Sequence, residues 1–355
     1  MRAFSCSRCG ALVNFDDGSC LTCGSTLGYI EGVDRMRALE ENGTVTWDRA
    51  LYVPCANAEL SCNWLVESST GEIHCPACRL IRKRPHPADE VATDQLAKAM
   101  HAERRLFAQL RENGLPLVSY EDRAGGIAFD LLSSTTGPNV TIGHANGVVT
   151  IDLSEVGDAY RVRLREKLGE PYRTMLGHFR HEIGHYYWQE LVFSDDVLLD
   201  DCRRLFGDDR TDYRAELERH YKEGAPDDWS ESFISEYATM HPWEDFAETW
   251  AHYLHITGTM QTAAAFSMQL GGLVGDKLDP ILQGSLRSAP GYSATAYRDS
   301  DIDSILDAWH PLARAFNQIN RSMGKADLYP FVIAVPVREK LAFVHEVVRR
   351  AGREQ

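Results

Sequence analysis

The run His181-Glu182-Ile183-Gly184-His185 sets two imidazoles four positions apart, with a carboxylate beside the first. On a helix, residues at i and i+4 point the same way. This H-E-x-x-H spacing therefore lets both histidines bind one Zn²⁺ while Glu182 acts as general base on water held at the metal. Met175, Leu176, Phe179 and Ile183 recur at helical spacing, so the motif sits on a helix over about 172–191 with a buried face, and Pro171 suits its first turn. Such a zinc needs a third protein ligand and one open position. The stretch from Ser235 to His252 supplies candidates. Pro242 suits the start of a helix over about 242–256, on which Glu244 and Glu248 share one face, with His252 and His255 further along it. Trp243, Phe246 and Trp250 leave only a narrow polar face, which favours a ligand role for one glutamate over a solvated acidic surface. Spacing does not rank the two. His178, one turn before His181, reads as a packed or solvated histidine.

A second chemistry is written in the cysteines. Eight of the nine fall at positions 6, 9, 20, 23, 55, 62, 75 and 78, and six of these form Cys-x-x-Cys pairs. Two intervening residues let a tight turn aim both thiolates at one ion, and two such turns complete a tetrahedral zinc site. Cys6, Cys9, Cys20 and Cys23 form one set, with Gly10 and Gly24 where the turns need positive φ. Cys55, Cys62, Cys75 and Cys78 form a second at a less usual spacing, with His74 as its neighbour. Spacing also permits an interleaved arrangement, but local closure costs less chain entropy, so two sequential sites are expected. Cys202 stands alone and reads as a structural thiol. With the catalytic site, the count is three zinc ions, one catalytic and two structural.

The elements that must position these groups follow a mixed pattern. A zinc ribbon over 1–84 ends at Pro85 and Pro87, and a second domain occupies 90–355. An amphipathic helix ends at Gly114, strand-like runs follow at 115–120 and 127–132, and the runs 140–144 and 148–153 flank Asn146-Gly147 as a type I′ hairpin. Further helices are expected at about 155–168, 301–320 and 336–350. The fold class is α+β: a zinc-ribbon module before a helix-rich domain with a small β-sheet.

Composition excludes several functions. There are 37 basic and 52 acidic residues, a net charge of −15; residues 1–90 hold 9 and 12 of them. Neither part has the basic excess of a protein that clings to nucleic acid or an anionic membrane. Arg79, Arg82, Lys83 and Arg84 form a small basic cluster that reads as a solvated linker face. The uncharged stretch 256–275 contains glutamines, threonines and glycines, which suits a soluble element better than a membrane span. Cysteines occupy the opening residues where a signal peptide would have its apolar run, so the expected compartment is the cytoplasm.

The chain also resembles known families. Tyr237, with Glu244 seven residues later inside Glu244-Asp-Phe-Ala-Glu248, resembles the second half of the active site of anthrax lethal factor-type gluzincins. More broadly, the chain resembles a bacterial family of zinc-binding metallopeptidases with an N-terminal zinc ribbon. The matching segments are Cys6 to Gly10, Cys62 to Leu65, Glu170 to Trp188, His241 to His255 and Asn320 to Gly324. The resemblance implies a zincin-like fold with His181, His185 and Glu244 on zinc. It also implies Glu182 as base, Tyr237 as oxyanion donor, and Glu248 holding a histidine by its free N–H. By analogy, the hairpin at 139–153 offers an edge strand to an extended substrate. The expected function is a zinc-dependent endopeptidase on a protein or peptide substrate, its ribbon a folding device and a docking surface for a partner. The alternatives are a non-catalytic zinc-binding scaffold and a protease acting on nucleic-acid-associated partners.

Overall fold

Two-residue turns between cysteines shape the N-terminal part of the chain in this computed structural model, which describes residues 3–156, 174–268, 299–329 and 331–353. Strands β1 (Ala3–Ser5) and β2 (Leu12–Asn14) pair antiparallel around the first turn. Gly10 (φ 76°) and Gly24 (φ 71°) close the turns by donating to the carbonyls of Cys6 and Cys20 at 2.9 and 2.8 Å. Any side chain would be strained at those angles. A hairpin of β3 (Leu27–Ile30) and β4 (Arg35–Ala38) follows, then a meander of β5 (Val45–Trp47), β6 (Ala50–Pro54) and β7 (Leu65–Glu67). The four-residue helix α1 (Pro76–Arg79) carries Cys78. These small sheets enclose an apolar cluster of Ile30, Val45 and Leu65. Edge-to-face contacts add to it: Phe15 to Tyr29 at 5.0 Å, Tyr29 to Trp64 at 5.1 Å, and Trp64 to Phe107 of α2 (Glu90–Glu112) at 5.7 Å.

A separate sheet has the order β10-β11-β9-β8, where β8 is Ile81–Lys83, β9 is Ala128–Leu132, β10 is Gly143–Ala145 and β11 is Val148–Asp152. β8, β9 and β11 run parallel. Asn146 (φ 48°) and Gly147 (φ 81°) make the turn before β11, both with the positive φ that a type I′ turn needs. The expected strand at 115–120 does not form. Ser119 makes one isolated bridge to Ile127, and Pro116 removes a donor that a ladder would require. Similarly, of the run 140–144 only Gly143 and His144 are strand, in β10, which extends to Ala145.

By contact the chain separates into two compact units. The first comprises Met1–Phe107, Val118–Gly143 and Gly147–Val156; the second comprises Ala108–Leu117, His144–Asn146 and Gly157–Gln355. Within the second unit α3 (Met175–Tyr187) is capped by Thr174, whose hydroxyl accepts from the Gly177 N–H at 2.9 Å. Helix α3 begins at Met175; Pro171, expected to open it, lies outside the described residues, as does nearly all of the helix expected at 155–168. Two helices were not anticipated: α4 (Asp196–Phe206) and α5 (Tyr213–Glu223), each started by an aspartate cap, Asp195 and Asp212. Helix α6 (Pro242–Ala265) runs nine residues beyond its expected end because Ile256, Met260, Ala263 and Ala264 continue the buried face. Helices α7 (Ile302–Ser322) and α8 (Val335–Ala351) follow among the described residues. Among the described residues, no helix is long and apolar enough to cross a membrane.

The contact that positions the functional groups is between α3 and α6. A Cβ on Gly184 would lie 3.1 Å from the Ala247 Cα and 3.2 Å from the Trp250 Cβ. The helix backbones meet there, and Tyr187 stacks on Trp250 at 5.1 Å beside the contact. Lys340 of α8 ties α6 down from outside, its ammonium donating to Asp245 at 2.6 Å and to the Ser232 carbonyl at 2.8 Å. Gly184→Val is therefore expected to overpack this contact and cost about 1–3 kcal/mol of stability. Denaturant unfolding followed by far-UV circular dichroism measures it; a midpoint equal to wild type would mean that the helices do not pack this closely.

Candidate metal centre

The ligand geometry follows from two i,i+4 pairs facing each other. His181 and His185 lie one turn apart on α3 with ring centroids 4.9 Å apart, and Glu244 and Glu248 lie one turn apart on α6. Oε2 of Glu244 stands 2.9 Å from His181 Nε2 and 3.5 Å from His185 Nε2. One ligand atom from each of these three residues lies within 4.8 Å of the others. Glu248 turns instead to the far side of the first ring, its Oε1 2.6 Å from His181 Nδ1. Its other oxygen accepts from the Ser235 hydroxyl at 2.6 Å, and that hydroxyl accepts from the Ala238 N–H at 3.2 Å. The geometry thus separates two glutamates that spacing left equivalent. Glu244 faces both histidines, and Glu248 orients one ring by the nitrogen turned away from the cluster.

The remaining groups close around this cluster. The His178 Nε2 lies 3.3 Å from Glu182 Oε1; Glu182 Oε2 is buried with no hydrogen-bond partner among the described residues. His178 is therefore packed, and against the proposed base. The Tyr237 ring lies 5.8 Å from that of His181, and Trp243 lies against His185 at 3.8 Å. The reading of the sequence missed Ser235 and Tyr213, whose phenol donates to Glu244 Oε1 at 3.0 Å. No spacing signal marks either residue, since Tyr213 belongs to an unanticipated helix. His252 and His255 stand outside the cluster: His252 Nδ1 lies 2.9 Å from the Tyr329 hydroxyl, and His255 stacks on the Tyr329 ring.

The electrostatics favour a cation here. Burial alone would lower the His181 pKa, but hydrogen bonding to Glu244 and Glu248 raises it well above the usual imidazole range. Burial would raise the Glu244 carboxyl, but the His185 and His181 imidazoles hold it well below the usual carboxylate range. Burial, reinforced by the Glu244 charge, pushes the Tyr237 phenol well up, so it stays a hydrogen-bond donor. Three buried carboxylates, Glu182, Glu244 and Glu248, stand among the buried imidazoles of His178, His181 and His185. Buried anions need compensation, and a divalent ion among Nε2 of both histidines and Oε2 of Glu244 matches the donor set of a His₂Glu zinc site.

The cysteines pass a sharper test. They gather as Cys6, Cys9, Cys20 and Cys23, and as Cys55, Cys62, Cys75 and Cys78, in sequential sets, with His74 outside the second. Sulfur separations are 3.8 Å for Cys6–Cys23, 3.6 Å for Cys9–Cys20, and 3.8 Å for both Cys62–Cys75 and Cys62–Cys78. A tetrahedron with Zn–S of ~2.3 Å has an edge of about 3.8 Å, whereas a disulfide needs ~2.05 Å. Hydrogen bonds from Cys62 and Cys75 hold the Cys55 thiol far below its usual range, while burial pushes Cys75 well above it. Four thiols crowded this way fit an ion that takes them all as thiolates. Cys202 is buried on α4 and belongs to neither set.

Comparison with known proteins agrees with these clusters. The model of a family described as "putative zinc-binding metallo-peptidase" matches residues 92–347, a span that contains the His₂Glu cluster. The chain belongs to this family. A zinc-ribbon domain matches residues 3–89, which contain both four-cysteine sets. The family member is 45% identical, over 350 residues, to an uncharacterized protein of Mycobacterium tuberculosis (strain ATCC 25618 / H37Rv) and to one of Mycobacterium bovis. Each alignment covers 98% of this chain and 95% of the relative. No solved structure matches the chain.

Metal titrations of two variants follow from the division between the glutamates. Glu244→Ala is expected to abolish zinc binding at the His₂Glu cluster. Glu248→Ala is expected to weaken it by about 10–100-fold, the usual cost of losing a partner that orients a ligand. Equal losses, or the reverse ranking, would contradict the assignment.

Proposed function

We propose that this metallopeptidase-family chain is a zinc-dependent endopeptidase of the gluzincin type, akin in its site to lethal factor-type proteases. The observation that carries the reading is the convergence of His181, His185 and Glu244 with Glu182 beside them in a buried cluster. A zinc ion bound there supplies Lewis-acid polarisation of the scissile carbonyl and acidifies water. The residues do the rest. Glu182 accepts a proton from the attacking water and returns it to the leaving amine, with His178 fixing its Oε1 and Oε2 left available. Tyr237, kept protonated by burial, donates to the oxyanion that develops on the carbonyl. Glu248 orients His181 and is itself held by Ser235. An extended substrate pairing with the edge strand β10 is part of this reading by analogy. The ribbon sites serve folding, with one structural zinc each, and the ribbon offers a docking surface for a protein partner.

Two rival readings are weaker. A scaffold without turnover has no use for Glu182 and Tyr237 beside the ligand set. A protease working on nucleic-acid-associated partners would want free cations on the ribbon. There Arg82 is bidentate with Asp130 at 2.8 and 2.7 Å, Arg79 bridges Glu72 and Glu121, and Arg84 donates to Asn57. The proposed compartment is the cytoplasm, where nine unpaired cysteines and thiolate zinc sites persist reduced.

Elemental analysis of the purified chain is expected to return about three zinc ions per molecule. Mild chelation should remove the His₂Glu ion first, because its open position admits the chelator; finding only one zinc would overturn the ribbon assignment. Turnover is tested with Glu182→Gln, which removes the base and keeps size and hydrogen-bonding capacity. With zinc occupancy verified, new peptide termini should appear in a cellular proteome exposed to wild type and be absent with the variant. Identical termini in both would favour the scaffold.

A further inference from the structure

Glu244 offers two oxygens, and the structure treats them differently. Oε2 is turned to the two histidine Nε2 atoms, while Oε1 accepts the Tyr213 hydroxyl at 3.0 Å. We propose that Tyr213 is a positioning residue of the metal centre, holding Oε1 away so that Glu244 presents one oxygen to zinc and a coordination position stays open. The inference rests on the reading of Glu244 as a ligand.

The tyrosine is held where it is by more than this one bond. Asp212 accepts from the N–H groups of Arg214 and Ala215 at 3.0 and 3.1 Å, which fixes Tyr213 as the first residue of α5. The His241 Nε2 lies 3.0 Å from the Thr211 hydroxyl, and its Nδ1 accepts from the Trp243 N–H at 3.1 Å as the cap of α6. The starts of α5 and α6 are therefore tied together through His241, against which the Tyr213 ring packs at 5.3 Å. No residue of α5 is buried, and Tyr213 itself is 37% exposed. Its hydroxyl nonetheless reaches a glutamate that is 2% exposed. An otherwise surface-lying helix thus sends one polar atom inward, to the outer oxygen of the ligand.

The chemistry explains why that matters. A carboxylate can bind a metal through one oxygen or both, and a catalytic zinc site works with three protein ligands and a free position. Without a partner, Oε1 is free to turn in and occupy that position. A phenol donating to Oε1 opposes this, and it fixes the carboxylate plane before any ion arrives.

Tyr213→Phe deletes only the hydroxyl and keeps the ring against His241. In the full-length protein, with both ribbon zincs retained as evidence of folding, zinc affinity of the His₂Glu site is read by competition with a chromophoric chelator. The variant is expected to bind about 10–100-fold more weakly. Co²⁺ loaded into the same site should lose visible absorption intensity, as a second carboxylate oxygen raises its coordination number. Unchanged affinity and an unchanged Co²⁺ spectrum would overturn the proposal, and if turnover alone fell, Tyr213 would instead be a donor to the reaction. Glu244→Ala separates this from failure of the underlying reading. If that variant keeps zinc at wild-type affinity, Glu244 is no ligand; if it loses zinc while Tyr213→Phe does not, only the positioning role falls.

Discussion

At Gly184 the backbone of α3 approaches α6 closely enough that a single added carbon would touch Ala247 and Trp250. Two residue pairs, each spaced by four, then face one another across the contact. His181 meets both glutamates at once, Glu244 on one ring nitrogen and Glu248 on the other. Sliding either helix by a turn would break both bonds, so the packing sets the register and the register sets the chemistry. Residues around the contact serve the same end. Trp250 fills the groove beside Gly184, Trp243 covers His185, and Lys340 anchors the helix through Asp245, next to Glu244.

Crowding carboxylates into such a core has an electrostatic cost, and the fold meets it group by group. Ser235 satisfies Glu248, Tyr213 satisfies one oxygen of Glu244, and His178 satisfies one oxygen of Glu182. What stays uncompensated is negative charge at the meeting point of His181, His185 and Glu244. A metal ion would balance it in the form that buried anions tolerate best, directly ligated rather than at a distance.

The ribbon solves a different problem by different means. Beside a small apolar cluster of Ile30, Val45 and Leu65, four sulfurs spaced for a tetrahedral ion gather at each of two places. Between them Phe15, Tyr29 and Trp64 supply edge-to-face packing. Each set closes within a short length of chain, 18 residues for the first and 24 for the second, which keeps loop-closure entropy small. The His₂Glu cluster lies at the other extreme, joining residues 63 apart that only packed helices can bring together.

What the sequence alone determined is therefore what short-range geometry determines. Cys-x-x-Cys turns, Gly10 and Gly24, the Asn146-Gly147 turn and the H-E-x-x-H helix are legible because their reason lies within a few residues of each. The resemblance to a metallopeptidase family ranked Glu244 over Glu248, which periodicity could not do. Tertiary structure decided the rest. Tyr213 and Ser235 carry no mark in the sequence, because each matters only through a partner 31 or 13 residues away. The run at 115–120 has strand composition but makes one isolated bridge, since strand pairing depends on a neighbour as well as on propensity. Helix α5 escaped notice for the converse reason: its aspartate cap is local, but it buries no residue and so shows no apolar face to periodicity, whereas α4, with Leu198, Leu199, Cys202 and Phe206 buried, carries a face that was passed over. A metal site needs ligands aimed at one point, and that aim is a property of packed backbones, which spacing along the chain does not record.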